Sequence, residues 1–299
     1  MRILLTGASG QLAKDLYPLL ASAGHSVFGF DSKELDITDG EKVFSEVERI
    51  SPECIVNSAA YTKVDLAEKE RDRAFAVNRD GAANLAEAAK KAGALMVHIS
   101  TDFVFDGGKA APYREEDRAN PLCVYGESKL AGETEIIKRL PEHYIIRTSW
   151  LYGSWGPNFV KTILRLARER DSMRVVYDQA GSPTWTVDLA SAIVSVIGSN
   201  ANGDRNYGIY HYSNEGVASW YDFAEDIVEG ARHSGLPVKC GTIEPILTLE
   251  YPTPARRPVY SVFDKKKIKK TFGIRIPHWR ISLLKMLNEL SELNGGGYA

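Results

Sequence analysis

The chain has 299 residues, a formal net charge of −2, 44% apolar residues and 25% charged residues. This is enough apolar material for one large or two moderate cores, and a near-neutral balance argues against an electrostatic surface for nucleic acid. No apolar run reaches the roughly twenty residues a bilayer requires, and "MRILLTGASG" is too brief an apolar stretch for a secretion signal, so a cytoplasmic protein with no membrane partner is expected.

The first half alternates short β-branched runs with helical patterns, as βαβ units on a parallel sheet do. Strands are predicted at Arg2 to Thr6, Ser26 to Phe30, Cys54 to Asn57, Leu95 to Ser100 and Tyr144 to Thr148. Between the first two, Leu12, Leu16, Leu19 and Leu20 share a helix face, with Pro18 expected to kink it. Thr38 and Glu41 are spaced as a capping box ahead of Val43, Phe44 and Val47. An alanine-rich helix carrying Leu85, Ala88 and Ala89 stops at Gly93. Beyond about residue 150 the spacings lengthen, and helices are expected near 157 to 170, 219 to 232 and 279 to 293. The predicted division is a dinucleotide-binding domain over 1 to 150, rejoined by about 173 to 198, and a smaller α/β substrate region over about 151 to 172 and 199 to 299. The basic run "DKKKIKK" reads as a solvated helix face and "NGGGYA" as a frayed tail. Cys54, Cys123 and Cys240 are too few and scattered for a disulfide framework, and the six histidines lack ligand spacing, so buried thiols and no metal are expected.

"ILLTGASGQLA" places Gly7 and Gly10 after a strand and at the start of a helix, where the backbone can approach a pyrophosphate and helix amides supply partial positive charge. Gly7, Gly10, Gln11 and Leu12 are the expected cradle, with Ala13 in the third position of the glycine pattern. Asp31 ends the second strand, where a carboxylate can accept from ribose hydroxyls and repel a 2′-phosphate; Ser32 and Lys33 follow, so NADH and NADPH both stay open. Asp36 and Ile37 stand on the adenine side, Asp36 with a turn role as its alternative. In "IVNSAAYT", Ala59, Ala60, Tyr61 and Thr62 end a strand in residues that admit a flat cofactor.

Tyr125 and Lys129 in "VYGESK" lie four apart and so share a helix face. Lowering a phenol from pKa ~10 to neutrality takes about 4 kcal/mol, and one positive charge at ~4 Å in a dielectric of ~20 supplies about that much, so Lys129 is expected to acidify Tyr125. The alternative is an exposed tyrosine beside a solvated lysine. "MVHISTDFVFDG" brings Ser100, Thr101 and Asp102 to the carboxyl edge of the sheet, where ligands of open α/β folds bind, and "IIRTSWLYG" brings Trp150 there too. In "YPTPARRP", Arg256 and Arg257 suit a diphosphate, with surface ion pairs as the alternative.

The set "TGASGQLA", "STDFVFDG", "VYGESK", "RTSWLYG" and "YPTPARRP" resembles the extended short-chain dehydrogenase/reductase family over nearly the whole chain. The resemblance implies a Rossmann-type doubly wound parallel sheet, NADPH or NADH as cofactor, and reduction of the 4-keto group of dTDP-6-deoxy-L-lyxo-4-hexulose to dTDP-L-rhamnose. Carried onto this sequence, Thr101, Tyr125 and Lys129 are the implied catalytic trio. Thr101, Asp102, Phe103, Tyr125 and Trp150 would meet the dTDP-sugar, joined by Arg256 and Arg257; Tyr125 and Lys129 would also meet the cofactor. Asn78 stands where the superfamily keeps an asparagine on a proton path, with helix packing as its alternative. The chain departs from the family at Phe103, often Tyr, and at Ala13, usually Gly. Some relatives form a metal-bridged dimer; Asp15 is a remnant of that set, which leaves a homodimer open and no metal claimed.

Other functions fit the same scaffold. A 4,6-dehydratase needs an Asp-Glu acid/base pair after the threonine, and Asp102 is here followed by Phe103, which disfavours it. Another nucleotide-sugar 4-reductase or a 4-epimerase is the alternative on the same scaffold. A non-catalytic regulatory subunit resembling that of methionine adenosyltransferase is the alternative from another class; the intact Thr101, Tyr125 and Lys129 argue for an enzyme.

Overall fold

The computed structural model describes the backbone of residues 1–295 and side chains as far as residue 292; the end of the tail expected to fray lies outside the described residues. The chain opens with β1 (Arg2–Thr6), α1 (Gln11–Ser22), β2 (Ser26–Phe30), α2 (Gly40–Ile50) and β3 (Cys54–Asn57). Short α3 (Val64–Ala67) and α4 (Arg71–Phe75) lead through a π-helical turn, Ala76–Gly81, into α5 (Ala82–Ala92). Then come β4 (Leu95–Thr101), a 3-10 turn at Asp102–Val104, α6 (Val124–Arg139) and β5 (His143–Thr148).

The second half contains β6 (Leu151–Tyr152), α7 (Phe159–Glu169), β7 (Ser172–Val176), β8 (Ala180–Gly181) and β9 (Thr184–Trp185). It continues through α8 (Thr186–Ala201), β10 (Gly208–His211), β11 (Ala218–Ser219), α9 (Trp220–His233) and β12 (Thr242–Ile246). After a 3-10 turn at Thr248–Glu250 it ends in α10 (Lys266–Phe272) and α11 (Trp279–Gly295).

Six parallel strands form the main sheet in the order β10-β5-β4-β3-β1-β2. Its strands alternate sides with the period of two that a pleat imposes. Ile3, Leu5, Val56, Val97 and Ile146 pack with Leu12, Leu16 and Leu20 of α1 and with Leu189, Ile193 and Val196 of α8. Leu4, Ile55, Met96 and Ile145 pack on the other face with α2, α5 and α6. Burial on both faces is why these strands are near-continuous apolar runs. Helix α8 thus covers the sheet, and β10 joins it as an edge strand. A separate core lies under α7, α9 and α11, with Phe223, Ile227, Trp279 and Met286 at its centre and β7 pairing in parallel with β12.

Local differences from the sequence reading have identifiable causes. Helix α1 runs unbroken through Pro18. The capping box of Thr38 and Glu41 does not form: the Thr38 hydroxyl donates to Asp36 Oδ1 at 2.8 Å, and Asp39 caps α2 instead, accepting from the Lys42 amide. A threonine beside an aspartate is drawn into the local side-chain bond in preference to the helix end. Helix α5 stops at Gly93 in left-handed conformation (φ 65) as anticipated, but the turn before it is π-helical. The three cysteines are buried and free. Among the described residues no helix is long and apolar enough to cross a membrane, and no group of His, Cys, Asp and Glu side chains is arranged to hold a metal.

Candidate active site

The strand order reverses between β1 and β3, and the loops after both strands meet at their carboxyl ends. Gly7 sits there with φ 70, and a Cβ on it would lie 2.7 Å from the Ala59 nitrogen, so only glycine brings the two loops this close. The Gly10 amide donates to the Gly7 carbonyl at 2.8 Å, closing the turn into α1. No side chain caps the first turn of α1 and no acidic residue occupies it, so its amides stay available to an anion. These features fit a dinucleotide pyrophosphate.

The other expected cofactor residues divide. Gln11 donates to the Leu151 carbonyl at 3.3 Å and accepts from Asn158, tying the cradle to the loop before α7. The Leu12 side chain belongs to the core, which leaves its backbone amide for any ligand. Asp31 accepts from the amides of Lys33 and Glu34, and these bonds hold its carboxyl below the usual range, fixing a negative charge at the end of β2. Asp36 accepts from the Thr38 amide and hydroxyl, the turn role that was its alternative, and Ile37 is buried against α5 and Gly81. Ala59 and Ala60 are half-buried at the end of β3, and Thr62 is exposed. The Tyr61 amide donates to Asn78 Oδ1 at 2.8 Å, while Asn78 Nδ2 donates to the Tyr61 carbonyl and to Ser128 Oγ at 2.9 Å. Asn78, on the π-helical turn, therefore joins the β3 loop to α6.

Helix α6 carries Tyr125 in its first turn. Its Val124 amide donates to the Glu68 carboxylate at 2.9 Å, a negative charge where the helix dipole favours one. Gly126 lies so close to the Phe103 carbonyl that a Cβ would approach it to 2.2 Å, and this contact sets α6 against the end of β4. The Phe103 ring meets Tyr125 edge-on, with centroids 5.4 Å apart. The Thr101 hydroxyl donates to Asp102 Oδ1 at 3.1 Å and accepts from the Phe103 amide. Thr101, Asp102, Phe103 and Tyr125 thus form one cluster.

Lys129 is not placed as expected. Its Nζ donates to the Ile99 carbonyl at 2.6 Å and stands 3.3 Å from His98 Nε2, so its charge is spent inside β4. Burial, with the nearby Asp102 and Cys123, pushes the Tyr125 phenol up from its ordinary value; Thr101 only tempers this, and Lys129 is not among the groups that move it. The phenol is consequently a secure proton carrier and not an acidified one. Burial also lowers Lys129 to about 8, against the pull of Glu133.

Asp102 is buried, its Oδ2 lacks a well-formed hydrogen bond, and burial raises it to about 6. The folded carboxyl keeps its proton to about pH 6 and the unfolded one to 3.8, so its stabilising contribution is complete below the lower value and lost as pH rises through the upper. Two units correspond to about 3 kcal/mol. Asp102→Asn is expected to raise stability by about 1–3 kcal/mol near neutrality and by little at pH ~4, as urea unfolding at the two pH values would measure.

Trp150 takes a left-handed backbone (φ 47), a strained conformation for a tryptophan, and its ring stacks on Trp220 at 3.5 Å and 5°. Arg257 is committed to Asp65 at 2.8 Å and to Thr253 and Ala255, the ion pair that was its alternative, whereas Arg256 is exposed and makes no ion pair among the described residues. Sequence reading missed His98, Glu133 and Arg147. The Arg147 guanidinium grips the Glu133 carboxylate in the interior, and Ser100 donates to the same carboxylate. Their only signal was polarity inside a strand or helix face that had to be buried.

Residues 1–292 match the family described as RmlD substrate binding domain. The dTDP-4-dehydrorhamnose reductase of Aggregatibacter actinomycetemcomitans is 44% identical over 284 residues, 94% of this chain and 97% of that protein. A crystal structure of the dTDP-4-dehydrorhamnose reductase of Clostridium acetobutylicum superposes with a TM-score of 0.90 at 41% identity, covering 97% of this chain and 99% of that one. The Bacillus anthracis enzyme of the same name, in complex with NADP, gives 0.89 at 41% identity, covering 96% and 99%.

Proposed function

Because this chain belongs to the RmlD substrate binding domain family, we propose that it reduces the 4-keto group of dTDP-6-deoxy-L-lyxo-4-hexulose to give dTDP-L-rhamnose, with NADPH or NADH as reductant. The observation that carries this reading is the cluster of Thr101, Asp102, Phe103 and Tyr125 at the end of β4, in the same sheet whose β1 leads into the Gly7 turn.

The amides at the start of α1, approached through Gly7 and Gly10, would hold the dinucleotide pyrophosphate, and Asp31 the adenosine side. When bound, the reduced nicotinamide supplies a hydride to the ketone carbon. Thr101 orients the ketone oxygen when its hydroxyl turns from Asp102 to donate to it. As that oxygen takes up the electron pair of the C=O bond, Tyr125 gives it the phenolic proton. A raised phenol suits this order, because the proton stays in place until an alkoxide develops to take it. Asp102 and Phe103 fix Thr101 and the Tyr125 ring, and Lys129 is the nearest basic group on the same helix for restoring the phenol. The sugar nucleotide lies toward the second core, in the region of about 151 to 172 and 199 to 299, where Trp150 offers a ring and Arg256 a guanidinium to the diphosphate.

Incubating the chain with NADPH and the hexulose, following reduced-nicotinamide absorbance and identifying the sugar product, tests the reading. Stoichiometric oxidation with dTDP-L-rhamnose as product is expected; recovery of a changed ketose with no net oxidation defeats it in favour of epimerisation. Arg256→Ala is expected to raise KM for the sugar nucleotide about tenfold with kcat unchanged, the loss of one exposed charged hydrogen bond. Arg257→Ala should instead lower stability, since Arg257 is bound to Asp65.

A further inference from the structure

Behind α6 runs a buried polar chain that the reduction does not itself consume. Thr6 Oγ1 donates to Asn57 Oδ1 at 2.7 Å, and the Ala59 amide donates to the same oxygen at 3.1 Å. A backbone N–H can only donate, so the identity of that oxygen is fixed, and Asn57 Nδ2 is the atom 3.0 Å from His98 Nδ1. Nδ2 also only donates, so His98 Nδ1 accepts and carries no proton. His98 is 1% exposed, and burial together with the charge of Lys129 and the neighbouring His143 holds it well below the usual histidine range, so the ring is neutral. Its single proton is therefore on Nε2, 3.3 Å from Lys129 Nζ.

The two protonation states of Lys129 meet that N–H differently. An ammonium opposes donor to donor; an amine offers its lone pair while keeping a bond to the Ile99 carbonyl at 2.6 Å. We propose that Asn57 and His98 form a tautomer lock behind Lys129, in which Asn57 fixes the His98 proton on Nε2 and that N–H favours the amine form of Lys129. His98 is thereby a positioning residue acting through Lys129, and the inference rests on the role given to Lys129 above.

The surrounding charges leave room for this. Glu133, also on α6, favours the ammonium, but its carboxylate is gripped by Arg147 of β5 and bonded by Ser100 of β4. His143 of β5 acts on His98, while Asp102 at the end of β4 acts on Tyr125. Burial prevails over Glu133, and Lys129 titrates at about 8. The consequence is a loosely held proton one helical turn from the phenol. After Tyr125 protonates the alkoxide, Lys129 can release a proton toward the phenolate, the resulting amine accepts from His98 Nε2–H, and solvent returns the proton before the next cycle. A lysine at its ordinary value would hold that proton over a hundredfold more tightly.

Nitrogen-15 NMR of histidine-labelled protein, with His98→Gln to identify the resonance, reads which ring nitrogen is protonated. A proton on Nε2 and a bare Nδ1 are expected. A proton on Nδ1, or on both nitrogens, overturns the lock whether or not the protein reduces any sugar. The pH profile of kcat/KM for ketone reduction gives a second reading: glutamine presents an amide oxygen that accepts from an ammonium, so in His98→Gln the alkaline limb should move up by about one unit. A folded His98→Gln protein whose limb has not moved also overturns the proposal.

Discussion

Tyr125→Phe is expected to lower turnover of the ketone by about a thousandfold, in the range for loss of a positioned general acid, while changing the dissociation constant for NADPH by less than about twofold. The substitution is well defined because the ring survives: the edge-on contact with Phe103 and the packing of α6 set by Gly126 do not involve the hydroxyl. Only the proton source is removed. Hydride addition without a nearby acid leaves an alkoxide in a buried cluster that already contains Asp102, an arrangement that charge repulsion and desolvation both oppose. Single-turnover reduction and fluorescence titration of NADPH separate chemistry from binding. Turnover within tenfold of the parent would remove Tyr125 from the role of acid.

The second large effect lies behind the site. Arg147→Met strands Glu133, whose side chain is 1% exposed, without the guanidinium that neutralises it, and should destabilise the protein by about 3–5 kcal/mol. The pair itself is not intrinsically a strong source of stability, because both ions were taken out of water. Adding Glu133→Leu to Arg147→Met should therefore recover most of the loss. Urea unfolding of the parent, the single and the double variant checks this, and a double variant no more stable than Arg147→Met would contradict the account. Because Ser100 shares the same carboxylate one residue before Thr101, the single variant should also disturb the end of β4.

Much of the fold was legible because of where its strands lie. A parallel strand covered on both faces is buried along nearly its whole length, and the apolar runs that begin β1, β3 and β4 mark such strands in the sequence. β10 escaped notice because Gly208–His211 is an edge strand that opens on glycine and ends on histidine, so it carries no apolar run. Asp36 diverted Thr38 from the cap of α2, a competition between neighbours that residue spacing does not reveal. In the site, spacing correctly put Tyr125 and Lys129 on one helix and Thr101 at a strand end. It could not say which way the lysine stem would reach, and the carbonyl of Ile99 and the ring of His98 decided that. Likewise two adjacent arginines look equivalent in sequence, yet Asp65, 192 residues away along the chain, takes Arg257 and leaves Arg256 exposed.

The π-helical turn at Ala76–Gly81 reconciles two demands on one helix. Upstream, Asn78 must face the Tyr61 backbone and Ser128; downstream, Leu85, Ala88 and Ala89 must face the sheet. Deleting one residue here would let the segment wind as ordinary α-helix and swing one part about 100° against the other. Either the asparagine would lose its anchor or the alanine ridge would turn to water. An indel that most surface helices would absorb by local fraying is thereby forbidden at this point in the chain.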